Sequence, residues 1–354
     1  MRVEENIELA PFTTLGVGGP ARWFAETASE DDVEAAVDWA RERNVPLFVL
    51  GGGSNLVVAD AGFAGLVLHV ALRGIDTTND SGTVLYQAAA GEDWDAFVQQ
   101  TVANNCAGLE CLAGIPGTVG GTPVQNVGAY GQEVSSSVVK VRAYDLTTRT
   151  FVEFSNAECA FGYRRSRFNT VDRGRFVVVR VDYRLTPCGV PTLRYADLQR
   201  EFAAFPDANL AEVATAVRRI RRSKGMLLVE GDPDCRSAGS FFKNPVVSDE
   251  RVRHIAAKAG KEPPCFSAGT QKEQSGRVKI PAAWLIEHAG FSKGFVRGAA
   301  GISSRHTLAL INRGGATATE ILALGDELAS AVESRFGIRL EKEPVLLGFG
   351  DDQT

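Results

Sequence analysis

Apolar residues recur along this chain with two periods, and the switch between them outlines its parts. Ser29-Glu30-Asp31-Asp32 places a capping hydroxyl ahead of acidic residues, and Val33, Ala36, Val37 and Ala40 follow at helical spacing. Asn44 closes that helix, residues 46–50 read as a short buried strand, and Leu56-Val57-Val58 begins another. This β-α-β opening gives way to strand-like segments at 65–70, 83–89, 138–144, 149–154 and 176–185, interrupted by a helix over 93–104. A further unit begins near Ala211. It has a basic amphipathic helix over 213–223, a loop over 225–236 rich in Gly, Asp and Pro, a helix over 281–289 and a strand over 307–312. Thr317-Ala318-Thr319-Glu320 is a capping box opening a long helix with Ile321, Leu324, Leu328, Val332 and Phe336 on one face, ended by Gly337. Runs of strand followed by runs of helix predict an α+β architecture, not a doubly wound sheet.

Composition narrows the class. The 354 residues are enough for two to three domains, and 44% apolar content is ordinary for a globular protein. No apolar run reaches the roughly 18 residues a membrane span needs, and the polar N-terminus Met1-Arg2-Val3-Glu4-Glu5-Asn6 does not read as a signal peptide. A net charge of -5 argues against a nucleic-acid or anionic-membrane partner. The six cysteines fit neither a disulfide framework nor a zinc site, and the four histidines stand apart, so no metal is expected. Free thiols point to a reducing cytoplasm.

Two glycine-rich segments carry chemistry. Gly51-Gly52-Gly53-Ser54-Asn55 follows an apolar run but lacks a Walker lysine and the dinucleotide fingerprint. Glycines there serve a tight turn or let backbone N–H groups approach a diphosphate. Gly114-Ile115-Pro116-Gly117-Thr118-Val119-Gly120-Gly121 repeats the idea, so the two loops can grip one long ligand. Ala238-Gly239-Ser240-Phe241-Phe242-Lys243-Asn244-Pro245 sets a serine between glycine and two phenylalanines, the kind of dry setting in which a hydroxyl can deliver a proton. Read alone, the same octapeptide is also a buried aromatic strand end, and Arg164-Arg165-Ser166-Arg167 a surface cluster.

These segments, together with Gln125-Asn126-Val127-Gly128-Ala129-Tyr130, Gly162-Tyr163-Arg164 and Leu340-Glu341-Lys342-Glu343-Pro344, occur in an order that closely resembles the UDP-N-acetylenolpyruvoylglucosamine reductase family, from about Asn6 to Gly348. The resemblance implies an FAD-binding domain of the vanillyl-alcohol oxidase type in two subdomains, 1–70 and 71–210, and a substrate-binding domain over 211–354. It implies FAD contacts from Gly51, Gly52, Gly53, Ser54, Asn55, Gly114, Ile115, Pro116, Gly117, Gly120, Gly121 and Val178. The family's tyrosine–arginine motif selects Arg164 as the carboxylate-binding cation, Ser240 matches its proton donor, and Glu343 its catalytic glutamate. This chain reads Glu-Pro where the family reads Pro-Glu-Val, which leaves Glu341 as a rival. Tyr195, Lys224 and Asn244 match substrate contacts of the family's first type. The implied reaction is NADPH-driven reduction of an enolpyruvyl UDP-sugar to UDP-N-acetylmuramate by a cytoplasmic monomer whose partners are small molecules. The rivals are a flavin oxidase of the vanillyl-alcohol oxidase group, which the glycine loops fit equally, and a non-catalytic sugar-nucleotide binder.

Overall fold

The computed structural model describes residues 1–204, 207–267 and 276–350. The chain groups into two units. The first comprises Met1–Ile7, Ala21–Gly53 and Phe63–Arg222; the second comprises Glu8–Pro20, Ser54–Gly62 and Ser223–Thr354.

Among the described residues, the first unit contains two larger sheets and a two-stranded pair of Gly128–Ala129 with Gln132–Glu133. In the four-stranded sheet, the strands Pro20–Thr27 and Leu47–Leu50 both pair in parallel with Phe63–Val70, and Val3–Glu8 lies at the edge. The helix Glu30–Glu42 begins as its sequence demands: the Ser29 hydroxyl accepts the Asp32 N–H, and Val33, Ala36, Val37 and Ala40 are buried. The larger sheet is antiparallel, with Thr150–Ser155, Val138–Asp145, Phe176–Pro187, Thr83–Ala89 and Ile75–Asp80 in that order. The helix Trp94–Ala103 packs against it through Trp94 and Phe97, whose rings lie 5.8 and 5.2 Å from that of Tyr183.

The second unit is built from short pieces. Leu56–Val58 pairs in parallel with Val345–Leu347, and two three-stranded sheets of two- and three-residue strands complete the pairing. Its core is organised by the helix Ala318–Phe336, whose Ile321, Leu324, Leu328, Val332 and Phe336 are buried. The expected capping box forms between Thr317 and Glu320, and Gly337 caps the far end at φ +65°. The Asp60 carboxylate adds a second cap, accepting the Ala318 and Thr319 N–H groups at 2.7 and 3.0 Å. Burial pushes the Asp60 carboxyl upward, but the Thr319 hydroxyl and these two amides outweigh it and leave it below its ordinary value.

One local expectation changes, and one helix was not foreseen. The strand expected over 307–312 is only Leu310–Asn312. Its first half is diverted into a turn because the His306 ring accepts the Leu308 N–H at 3.0 Å and the His306 carbonyl accepts the Ala309 N–H at 3.1 Å. The helix Asp249–Ala259 carries no readable apolar stripe, since it buries only Ile255. All six cysteines are free thiols. Among the described residues, no helix is long and apolar enough to cross a membrane.

Candidate active site

In the first unit the two glycine loops meet. A Cβ on Gly52 would lie 2.6 Å from the Gly117 Cα, and one on Gly51 would lie 2.9 Å from the Thr118 hydroxyl. Only glycine permits this approach of backbone to backbone. The second loop is fastened to the start of the helix Trp94–Ala103. Trp94 donates its backbone N–H to Gly117 at 3.0 Å and its ring N–H to Leu112 at 3.2 Å. Asp95 accepts the Gly114 N–H at 2.6 Å, and Arg221 donates Nε–H to the Gly114 carbonyl at 2.9 Å. Arg221 is buried; desolvation lowers its pKa, while Tyr130 and Asp95 oppose that.

The residues that would hold the cofactor therefore come as a rigid cradle with one loose polar end. The Thr118 hydroxyl is buried beside Gly51 and has no hydrogen-bond partner among the described residues. A buried hydroxyl left unpaired costs about 1–3 kcal/mol, so a polar ligand atom is its natural complement. Closely approaching glycine backbone with an unpaired hydroxyl beside it fits the diphosphate-bearing FAD expected there. Gly120 backs the same wall: its Cβ would meet that of Ala90 at 2.6 Å, and the Ala90 N–H is held by Val179, next to buried Val178. Gly121 differs, since a Cβ there would touch nothing within 4 Å.

Arg164 also lies in the first unit, at the third position of a four-residue turn. Gly162 and Arg165 close the turn with reciprocal backbone bonds of 2.9 and 3.2 Å. Arg164 adopts φ +54°, where such turns take glycine or asparagine. An arginine held there stores strain on the order of 1–3 kcal/mol. Its guanidinium carbon lies 5.5 Å from the centre of the Tyr163 ring. Tyr195 precedes the short helix Ala196–Glu201 and sits edge-on to Tyr130 with ring centres 5.2 Å apart. The segment leading to it is anchored by buried Glu110, which accepts the Gly108 and Thr192 N–H groups at 2.8 Å each.

In the second unit the segment that follows Ser240 pairs with the segment that carries Glu343. Residues 241–243 and 341–343 run antiparallel: Glu343 donates its N–H to Phe241 and Lys243 donates its own to Glu341, each at 2.9 Å, with Phe242 opposite Lys342. On the other side the Phe241 N–H bonds the Leu308 carbonyl at 2.8 Å. Phe241 and Phe242, which follow the half-buried Ser240, are each 1% exposed and pack edge-on to one another. Gly239, at φ +73°, makes the bend that precedes it. The Asn55 side chain fixes the other end by donating to the Glu343 carbonyl at 3.2 Å. Lys243 is paired with Glu341, whose side chain is 70% exposed. That surface pairing separates Glu341 from its half-buried rival Glu343.

Asn244 turns its side-chain oxygen to the Ala282 N–H at 2.9 Å, at the start of the helix Ala282–His288. Lys224 is half-buried beside Gly225, whose backbone packs against Asp234, Ser303 and Arg305. The loop over 225–237 is pinned down by its acids: Asp234 accepts from Ser304 Oγ at 2.6 Å and Arg305 Nε at 2.9 Å, and Asp232 pairs with Arg305 at 2.5 Å. His306, read as an isolated structural histidine, belongs to this cluster. Burial, then the charges of Lys224 and Lys293, lower its pKa to about 4, against an opposing pull from Glu287. The sequence signal was its place in Ser303-Ser304-Arg305-His306, which nothing local connects to Lys224. Ser54 and Asn55 group with this unit and Gly51–Gly53 with the first, so one motif feeds both.

A family model for an FAD binding domain matches residues 21–153. Another, for the C-terminal domain of UDP-N-acetylenolpyruvoylglucosamine reductase, matches residues 232–347. The chain is 48% identical to a UDP-N-acetylenolpyruvoylglucosamine reductase of Thermobifida fusca (strain YX), covering 97% of each chain. It is 47% identical to that of Streptomyces coelicolor, covering 96% of this chain and 89% of the relative. The crystal structure of the Thermus caldophilus enzyme superposes with a TM-score of 0.66 at 27% identity, covering 98% of this chain and 99% of that one.

Proposed function

Because the chain belongs to the UDP-N-acetylenolpyruvoylglucosamine reductase family, we propose that it reduces UDP-N-acetyl-3-O-(1-carboxyvinyl)-glucosamine to UDP-N-acetylmuramate at the expense of NADPH, a step of peptidoglycan precursor synthesis. The first unit, with Arg221 in its cradle, would hold the cofactor, and the second would present Ser240, Glu343, Lys224 and Asn244 to the sugar nucleotide. FAD, when bound, would supply the redox chemistry that links oxidation of NADPH to reduction of the enolpyruvyl double bond at its β-carbon. Gly51, Gly52, Gly53, Gly114, Ile115, Pro116, Gly117, Gly120 and Gly121 present backbone to it, Thr118 offers its unpaired hydroxyl, and Ser54, Asn55 and Val178 complete the set.

The chain's remaining task is electrostatic and acid–base. Hydride addition leaves negative charge spread from the α-carbon to the carboxylate. The Arg164 fork would grip that carboxylate in two bonds and stabilise the charge as it develops. The Ser240 hydroxyl would deliver the proton to the α-carbon, with Glu343 beside it stabilising the enolic form. Tyr195, Lys224 and Asn244 would hold the diphosphate and sugar, and His306, kept neutral, adds a hydrogen-bonding ring beside Lys224. The observation that carries this reading is the pairing of residues 241–243 with 341–343, which sets a serine and a glutamate on adjacent segments against two buried phenylalanines.

The test is anaerobic. NADPH should bleach the flavin of the purified protein, and the enolpyruvyl sugar nucleotide should restore the oxidised spectrum. Restoration by oxygen alone would indicate the oxidase, and absence of bleaching would exclude NADPH-driven chemistry.

A further inference from the structure

Arg164 occupies a backbone conformation that its own side chain disfavours, so something outside the turn must hold it there. Two asparagine amides do so. On the near side, Asn126 is fully buried and donates Nδ2–H to the Gly162 carbonyl at 3.0 Å; its oxygen accepts the Ser135 N–H at 3.1 Å. On the far side, Asn169 donates Nδ2–H to the carbonyl of Arg164 itself at 3.1 Å, while its oxygen accepts the Ser166 N–H at 2.9 Å. Ser166 is fixed in turn by its hydroxyl, which donates to the Val124 carbonyl at 2.6 Å and accepts the Phe168 N–H at 3.1 Å. The two halves of the Asn169 amide therefore do different work. The oxygen closes the capping box of the turn Arg167–Asn169, and the nitrogen holds the peptide that follows Arg164.

We infer that Asn169 is a positioning residue: its side-chain nitrogen locks Arg164 in the left-handed turn and thereby sets the direction from which the guanidinium meets the substrate carboxylate. This rests on the assignment of Arg164 above. The geometry gives the reason. The carbonyl of Arg164 fixes its ψ; turning the peptide between Arg164 and Arg165 would move Arg164 out of the left-handed turn and redirect its side chain, and the Asn169 bond to that carbonyl opposes the rotation. A misplacement of about 1 Å at such a group can cost a hundredfold in rate.

The informative variant is Asn169→Asp, which keeps the oxygen that the Ser166 N–H needs and removes only the donor to Arg164. In the full-length, FAD-loaded protein, NADPH should bleach the flavin at the wild-type rate. Its reoxidation by saturating enolpyruvyl sugar nucleotide should fall roughly 10- to 100-fold. Flavin content and melting temperature should stay near wild type. In an Arg164→Met background, the same change should cost nothing further. If Asn169→Asp does not fold, Asn169→Ala, which removes both bonds without adding charge, carries the test. A wild-type reoxidation rate in Asn169→Asp alongside a collapsed rate in Arg164→Met would overturn the inference and leave the Arg164 assignment standing. An equal loss in both backgrounds would reduce Asn169 to a structural role. Wild-type turnover by Arg164→Met would remove the assignment itself, and the inference with it.

Discussion

The two units solve different problems with different materials. The first makes a cradle from backbone: glycines brought within contact of each other, held by a helix terminus, a buried arginine and a large antiparallel sheet. The second presents side chains. Its strands are two or three residues long, and Ser240 and Glu343 sit on or beside segments about a hundred residues apart that are joined by two backbone hydrogen bonds and the Lys243–Glu341 pairing. A cofactor that stays bound suits a rigid, preorganised site, whereas a reacting serine needs a dry wall and neighbours at one point. The comparison teaches that backbone chemistry is carried by local sequence and side-chain chemistry by long-range pairing.

The contrast can be broken or sharpened by substitution. The second unit should be the more acid-sensitive at its Lys224–His306 cluster. An unfolded histidine protonates near pH 6.5, whereas folded His306 resists protonation down to about 4. Below pH 6.5 the unfolded chain therefore binds the extra proton first. The associated stability is complete above pH 6.5 and is lost progressively toward pH 4, by at most about 3 kcal/mol. Urea unfolding between pH 7 and 4.5 should show this slope, and His306→Gln should flatten it. An unchanged slope would show that His306 is not held neutral.

The cradle, by contrast, should be sensitive to volume. Gly52→Ala drives a methyl into the Gly117 backbone. Overpacking of this kind costs about 1–3 kcal/mol, so FAD should bind roughly 10- to 100-fold more weakly by fluorescence titration of the apoprotein. Gly121→Ala, which meets nothing in the protein, should leave affinity unchanged unless the cofactor itself fills that space. A weakened Gly121→Ala would place ligand against Gly121.

Legibility in the sequence follows the same divide. The helices Glu30–Glu42 and Ala318–Phe336 were readable to the cap because Ser29, Thr317, Glu320 and Gly337 act within their own turns. The helix Asp249–Ala259 was not, because burying Ile255 alone leaves no periodic stripe. The glycines announced a close approach, but only the structure shows which glycine meets which loop. Motif resemblance singled out Ser240, Glu343 and Arg164. It carried no trace of the Phe241–Glu343 bond, of the Lys243–Glu341 pairing, or of the asparagine that holds Arg164. His306 was passed over for the same reason: its significance comes from Lys224, about eighty residues away in sequence.

The division of labour is tested most directly by anaerobic stopped-flow absorbance on Ser240→Ala loaded with FAD. The account predicts bleaching by NADPH at the wild-type rate, because that half-reaction needs only the cradle. It also predicts that reoxidation by the enolpyruvyl sugar nucleotide falls by about three orders of magnitude or more, consistent with loss of a positioned proton donor. Reoxidation at the wild-type rate would contradict it, by showing that the proton reaches carbon from some group other than Ser240.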